Sequence, residues 1–249
     1  MQDMNHSYYS EGLLEEAITE NRKKLESDPN NYILRESLAT SLVRAGKVEE
    51  AIEHYKICIE HKPTSGSWNS LGKAMLNVGR YEEAINAFQE VIVKNKWPDA
   101  YFHMAIAYRS INKLEKALEL CNEALKINPK YREAINEKAQ ILEALNRKDE
   151  ALNEYKKVIA LFFAEYQARD TEDYSYETAV LLDNGELVDE LIRQLRQHIQ
   201  KYPAFADGYY KLGQALEAKG LKNEAMMAFR KALEINPSYE IARKCFWKR

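Results

Sequence analysis

Cysteine is scarce in this chain, with three in 249 residues, an odd number at no metal-type spacing. That excludes a disulfide framework and a cysteine-built zinc site, and predicts that Cys58 and Cys121 are buried free thiols in a reducing compartment. Nine glycines and six prolines are too few and too scattered for a flexible linker or a collagen-like segment. Long apolar runs are missing. The longest candidate, Val158 to Ala164, falls far short of the ~20 residues that span a bilayer, so no membrane insertion is expected. Neither sign of charge dominates. The formal net charge is −3, and no basic surface of the kind that tracks a phosphate backbone appears, so nucleic acid is not an expected partner. Met1-Gln-Asp-Met-Asn-His-Ser7 has no basic-then-apolar order, which predicts no signal peptide and a cytoplasmic location. Catalytic constellations are absent too. There is no phosphate-cradling glycine loop, no nucleophile elbow and no Cys-X-X-Cys. Of the five histidines, His54 and His61 are seven apart and share a helix face, but no cysteine or carboxylate completes a ligand set with them. The chain is therefore read as a non-enzyme with no metal and no cofactor.

What the chain has is repetition. Small residues fall at Ala39, Gly72, Ala105, Ala139, Ala179 and Gly213, with gaps of 33, 33, 34, 40 and 34. Twelve residues after each stand Ala51, Ala84, Ala117, Ala151, Leu191 and Ala225. The two sets move as one unit, which is the signature of stacked supersecondary units. Each unit reads as two helices. Tyr209 to Leu216 spaces bulky and small residues at helical intervals, and Asn223 to Ile235 places apolar residues three and four apart before Pro237. Between the helices stands a residue tolerant of positive φ: Gly46, Gly79, Asn112, Asn146 and Gly220, with Asn184-Gly185 one place early. The small pair lets two helices approach closely, and Tyr55, Phe88, Tyr155 and Phe229 plug the gap beside it. Pro29, Pro63, Pro129, Pro203 and Pro237 break the chain before the next helix. Paired acids such as Glu49-Glu50 and Glu82-Glu83 recur at second-helix N-termini, where they meet the helix dipole.

Trp68, Leu71, Gly72, Met75, Ala84 and Phe88 follow a known repeat pattern, as do Tyr101, Ala105, Tyr108, Ala117, Ala124 and Pro129. Tyr209, Leu212, Gly213, Ala225, Phe229, Ala232 and Pro237 follow it best. On these residues the chain resembles the tetratricopeptide repeat proteins over roughly residues 32–239. The resemblance implies an all-α fold: a right-handed superhelical α-solenoid of about six helix pairs with N- and C-terminal capping helices. The organisation expected is a capping helix over 1–31, repeats one to four over 32–165, an insertion and a degenerate repeat five over 166–205, and repeat six with a closing helix over 206–249. Glu11 to Leu25 is the predicted first capping helix, since Ala17 lies 34 before Ala51. Tyr239 to Trp247 is the predicted last one, where Phe246 and Trp247 either cover the final repeat or form a sticky end that mates with another chain.

The irregular joint lies between repeats four and five. Proline is replaced by Phe163, alanine by Leu191, and His198 stands in a slot that is usually small. The extra residues, 164–176, are charged and carry Tyr166, Tyr174 and Tyr176. A longer helix and then a loop is expected, either a drifted spacer or a contact surface.

The resemblance also places the first helix of each unit on a concave groove that receives a protein or peptide segment. The residues there not used for packing are Asn69, Lys73 and Asn77 in repeat two, Phe102, His103, Ile106 and Arg109 in repeat three, and Asn136 and Gln140 in repeat four. Tyr176 in repeat five and Tyr210, Lys211 and Gln214 in repeat six complete the candidate peptide-binding face. Asparagine both donates and accepts, which suits an extended backbone, and Phe102 and Tyr210 offer flat apolar area. Charge grades from basic (Arg44, Lys73, Arg109) to acidic (Glu133, Glu137, Glu143) along the series. The carboxylate clamp of co-chaperone relatives is absent, because its slots hold Glu36, Thr40, Ser70, Asp99 and His103. The expected function is a non-catalytic interaction scaffold or adaptor, with possible self-association. The alternative is a regulatory or targeting subunit of an enzyme, pilus, organelle or secretion complex.

Overall fold

The structure, a computed structural model, describes residues 2–165, 185–240 and 242–243. Among the described residues there are helices and no strands. The chain divides into two compact units, Met1–Leu145 and Asn146–Arg249. The first holds α1 (Gln2–Ser27), α2 (Tyr32–Arg44), α3 (Val48–His61), α4 (Ser65–Asn77), α5 (Tyr81–Lys94), α6 (Pro98–Ser110), α7 (Leu114–Ile127) and α8 (Arg132–Ala144). The second holds α9 (Lys148–Glu165), α10 (Gly185–Lys201), α11 (Ala206–Ala218) and α12 (Lys222–Ile235). The division falls between the two predicted helices of repeat four.

Each hairpin turn closes as the turn residues predict. Gly46, Gly79 and Gly220 have φ of +75°, +77° and +80°, and Asn112 and Asn146 have +58° and +59°. After α2, the Lys47 amide donates to the Leu42 carbonyl at 2.8 Å and the Gly46 amide to Val43 at 3.1 Å. This crossed pair satisfies carbonyls that the helix end would leave unbonded. It recurs after α4, α6 and α11, where Arg80, Lys113 and Leu221 reach back to Met75, Tyr108 and Leu216. First helices start on real caps in two places: the side chains of Asn31 and Thr64 accept from the amides of Leu34 and Ser67, each at 3.0 Å.

The paired small residues do what their spacing requires. Ala39, Ala51, Ala84, Ala105 and Ala117 have no exposed surface, and neither has Phe88. A Cβ built on Gly72 would stand 2.6 to 2.9 Å from three atoms of the Phe88 ring, and one on Gly213 would strike Phe229 in the same way. The small residue and the aromatic wedge are therefore a single packing device. In the first unit this buries one continuous core from Ile18 to Ile141. Cys58 and Cys121 lie buried as free thiols. Burial pushes the Cys58 thiol up to about 11 and the Cys121 thiol up to about 12, which keeps both protonated and unreactive.

Two helices are longer than the repeat needs. α1 begins at Gln2 and not near Glu11, since no proline interrupts the chain before Gly12. α9 runs 18 residues where α3 and α7, followed by Pro63 and Pro129, run 14; Phe163 in that slot permits the extension, although α5, with Lys96 there, stops at 14 as well. Residues 166–184, including Tyr166, Tyr174, Tyr176 and Asn184, and Phe246 and Trp247 of the expected closing helix lie outside the described residues. In the second unit Leu191 and His198 are both buried, so the small-residue slots they occupy are filled by larger side chains. The His198 ring lies 4.9 Å from Tyr202 and 5.5 Å from Phe205. Burial, reinforced by Lys201, holds His198 below the ordinary histidine value.

Candidate functional site

Within the first unit every helix packs on the next, and α2, α4, α6 and α8 also touch in succession, first helix to first helix. The second helices α3, α5 and α7 show no comparable approach to one another. Helices crowd on the inside of a curve, so the α2–α4–α6–α8 side is the inner face of this unit. The candidate residues Asn69, Lys73 and Asn77 sit on α4, Phe102, His103, Ile106 and Arg109 on α6, and Asn136 and Gln140 on α8.

The inner face is built around one carboxylate, Asp99, in the first turn of α6. Asn69 Nδ2 donates to its Oδ2 at 3.0 Å, and Lys73 Nζ pairs with the same oxygen at 2.8 Å. The other oxygen, Oδ1, lies 3.1 Å from the Tyr131 hydroxyl, which donates to it, and 3.2 Å from His103 Nδ1. His103 Nδ1 also lies 2.8 Å from the Asp99 carbonyl, so it is the protonated nitrogen of that ring. Burial opposes the Asp99 charge and is the largest single influence on it. The bonds from His103, Lys73 and Asn69 together outweigh burial and hold the carboxyl well below the ordinary range. Tyr131 is driven the opposite way, by burial first and then by the Asp99 charge. Aromatic rings close the cluster: Phe102 stands edge-on to His103 at 4.9 Å and tilted against Tyr131 at 5.2 Å.

A second pair lies about three turns further along α6. Arg109 Nε and Nη2 reach Glu137 Oε1 and Oε2 of α8 at 2.5 and 3.1 Å. Glu137 is 5% exposed. On the other side of the face the Ser67 hydroxyl donates to Glu36. Of the charges read along the sequence as a gradient from basic to acidic, Lys73, Arg109 and Glu137 are thus neutralised pairwise, by partners about one repeat away. Four candidate residues are engaged in this way: Asn69, Lys73, His103 and Arg109. Asn77, Asn136 and Gln140 form no side-chain hydrogen bond within the described residues, and Ile106 on α6 is half-buried.

In the second unit, Tyr210, Lys211 and Gln214 lie on α11. Gln214 Nε2 donates to the Tyr210 hydroxyl at 2.9 Å, and the Tyr210 ring packs against Phe229 and Tyr239 at 5.8 and 5.3 Å. The Tyr239 hydroxyl donates to Asp207 Oδ1 at 2.7 Å. Asp207 and Tyr239 hold the repeat slots of Asp99 and Tyr131, so the same bond closes both units. Sequence reasoning passed over Tyr131 and Tyr239, read Glu137 only as part of an acidic series, and read Asp99 only as the occupant of an absent clamp's slot. The available signal was the Asn-Pro-X-Tyr run at 128–131 and again at 236–239, each preceded 32 residues earlier by an aspartate. Among the described residues no group of three or more metal-ligating side chains converges, and no helix is long and apolar enough to cross a membrane.

A stack of helix pairs whose first helices pool their side chains on one face is a helical-repeat scaffold for protein interaction. The tetratricopeptide repeat pattern matches residues 98–131 in one of its forms and 65–92, 133–164 and 206–239 in another, and the chain belongs to that family. Among solved structures it is similar to MamA 41-end from Desulfovibrio magneticus RS-1, at 17% identity, over 67% of this chain and 95% of that one, with a TM-score of 0.59. A chain of the APC/C hetero-tetramer Cut9-Hcn1 matches at 13% identity, over 94% of this chain and 46% of that one, with a TM-score of 0.58. MamA MSR-1 matches at 20% identity over 66% and 96%, with a TM-score of 0.55. At these identities the likeness is one of fold. No curated protein matches the sequence.

Proposed function

We propose that this chain is a non-catalytic cytoplasmic adaptor that holds an extended segment of a partner protein along the inner face of α4, α6 and α8. The observation that carries the reading is the division of labour on that face. Asn69, Lys73, His103 and Arg109 are committed to Asp99 and Glu137, whereas Asn77, Asn136 and Gln140 keep their donors and acceptors open. Uncharged amides that both donate and accept match a peptide backbone. With Lys73 and Arg109 already closed in pairs, the basic candidates offer no open charge to an acidic ligand, so the segment the face fits is extended and polar, with an apolar side chain for Ile106 and Phe102. Tyr176, Tyr210, Lys211 and Gln214 are proposed to contribute the same kind of contact in the second unit.

The test is affinity capture of partners by the purified chain, read by mass spectrometry. Asn136→Ala with Gln140→Ala is expected to remove the captured partner. Lys116→Glu with Lys126→Glu, on exposed α7 positions that pair only with Glu119 and Glu123, is expected to leave it in place. Equal loss from both pairs would move the site off the inner face.

A further inference from the structure

The outer surface carries two features that the inner-face reading leaves unused. The first is a groove of about 410 Å³ between the second helices α3 and α5. Its floor is apolar: Ile59, Trp68, Leu71 and Met75. The indole Nε1–H of Trp68 is buried and has no acceptor in the described chain. Its rim carries Glu60, Glu83 and Glu90 against one cation, Lys56, which is already paired with Glu53, and Glu60 and Glu90, one on each wall, form no ion pair among the described residues.

The second feature is on α12. In the repeat register, the position of Met227 is polar in every other unit: Thr19, Glu53, Asn86, Glu119, Asn153 and Arg193. Here it is methionine, 72% exposed, beside Met226 at 43%. Cations flank both. Lys222 lies four residues before Met226 and Arg230 four after it, and Lys231 lies four after Met227, so each falls on the same helix face as its methionine. Lys222 forms no ion pair among the described residues. Lys231 is already paired with Glu234, so the helix presents one open cation, Lys222, beside its methionines, and the groove presents an apolar floor between Glu60 and Glu90.

We propose that α12 of one copy of this chain docks in the α3–α5 groove of a second copy, with Met227 seated on the Trp68 floor and Lys222 against the acidic rim. Methionine suits the role, since it is flexible and fills irregular apolar space. The two surfaces differ, so the contact is heterologous and propagates head to tail into rings or open chains. It uses α12 and the α3–α5 groove, whose floor α4 supplies through Trp68, Leu71 and Met75, and it leaves Asn77, Asn136 and Gln140 open to another partner.

Sedimentation velocity of the full chain from roughly 1 to 100 μM, the range of weak association, reads the contact directly. The wild type is expected to shift to larger species with concentration. Met227→Glu installs the acid that Glu53 and Glu119 carry at the equivalent place, so it preserves the fold, checked by circular dichroism, and is expected to stay monomeric. Glu60→Lys with Glu90→Lys is expected to do the same. Mixing the two variants is decisive: one retains an intact groove and the other an intact α12, so together they are expected to form a dimer and nothing larger. A wild type monomeric throughout, assembly that survives Met227→Glu, or a mixture that stays monomeric would each overturn the proposal. None of these outcomes bears on capture of a partner by Asn136 and Gln140.

Discussion

Gly72→Ala isolates the packing device on which the whole stack depends. In an isolated helix the change is stabilising by about 1 kcal/mol, because alanine has the higher helix propensity. Here the added methyl lands 2.6, 2.8 and 2.9 Å from three Phe88 ring atoms. Phe88 has no exposed surface and so has no solvent to retreat into. Overpacking of this kind costs roughly 1–3 kcal/mol. The clash therefore exceeds the propensity gain, and a net loss of about 1 kcal/mol is expected, read as a lower urea midpoint by circular dichroism. The mechanism has a sharper signature in Phe88→Leu. That change opens a cavity beside Gly72 but makes room for the methyl that Gly72→Ala adds, so the two substitutions are expected to be less costly together than their sum by about 1 kcal/mol, the scale of contacting pairs. Native-state hydrogen exchange is expected to place the loosening in α4 and α5. Stability raised by the full propensity gain, or additivity to within about 0.5 kcal/mol, would refute the wedge argument.

Asp99→Asn is expected to cost about 1 kcal/mol, the low end for charge-assisted bonds at a partly exposed site, and to leave Lys73 without its counter-charge. Because the folded Asp99 carboxyl is held below its ordinary value, its contribution is present above about pH 4 and is lost as pH falls through the acid range, so the variant is expected to flatten that limb of a stability–pH curve. His198 and His54 are also held low, each chiefly by burial, and protonating them opposes the fold. Their contribution is present above about pH 6.5 and declines as pH drops below it, and His198→Gln is expected to reduce that decline, whereas an unchanged pH profile would place the proton elsewhere.

The architecture was legible because its determinants are local and repeated. Ala39, Gly72 and Ala105 announce close helix contacts, Gly46 and Asn112 announce left-handed turns, and each signal recurs often enough to confirm itself. The inner face was legible only as a set of positions. Asp99, read alone, is an acid in the first turn of a helix. Its meaning lies in Asn69, Lys73 and Tyr131, which stand about thirty residues away on either side and meet it only once the repeats stack. The pairing of Arg109 with Glu137 was hidden for the same reason: two opposite charges 28 residues apart in the series meet only when successive helices lie side by side. α9 lengthened as expected where proline gives way to Phe163, but α5, with Lys96 in the same slot, stops at Lys94, so the missing proline permits a longer helix without dictating one.

The position of Asp99 also bears on how modular this array is. In a simple repeat protein each unit interacts with its immediate neighbours, and stability is close to a sum of unit and interface terms. Asp99 belongs to α6 but is held by Asn69 and Lys73 of α4 and by Tyr131 at the start of α8. One side chain thus joins its unit to both immediate neighbours at once, so the two interface terms, which nearest-neighbour bookkeeping adds as independent, share a single carboxylate. Repeats two, three and the first helix of four should melt as a block. Excising any one of them would strand the others' donors around a missing carboxylate, or the carboxylate among missing donors, so this part of the chain cannot be shortened or lengthened one unit at a time as a consensus array can.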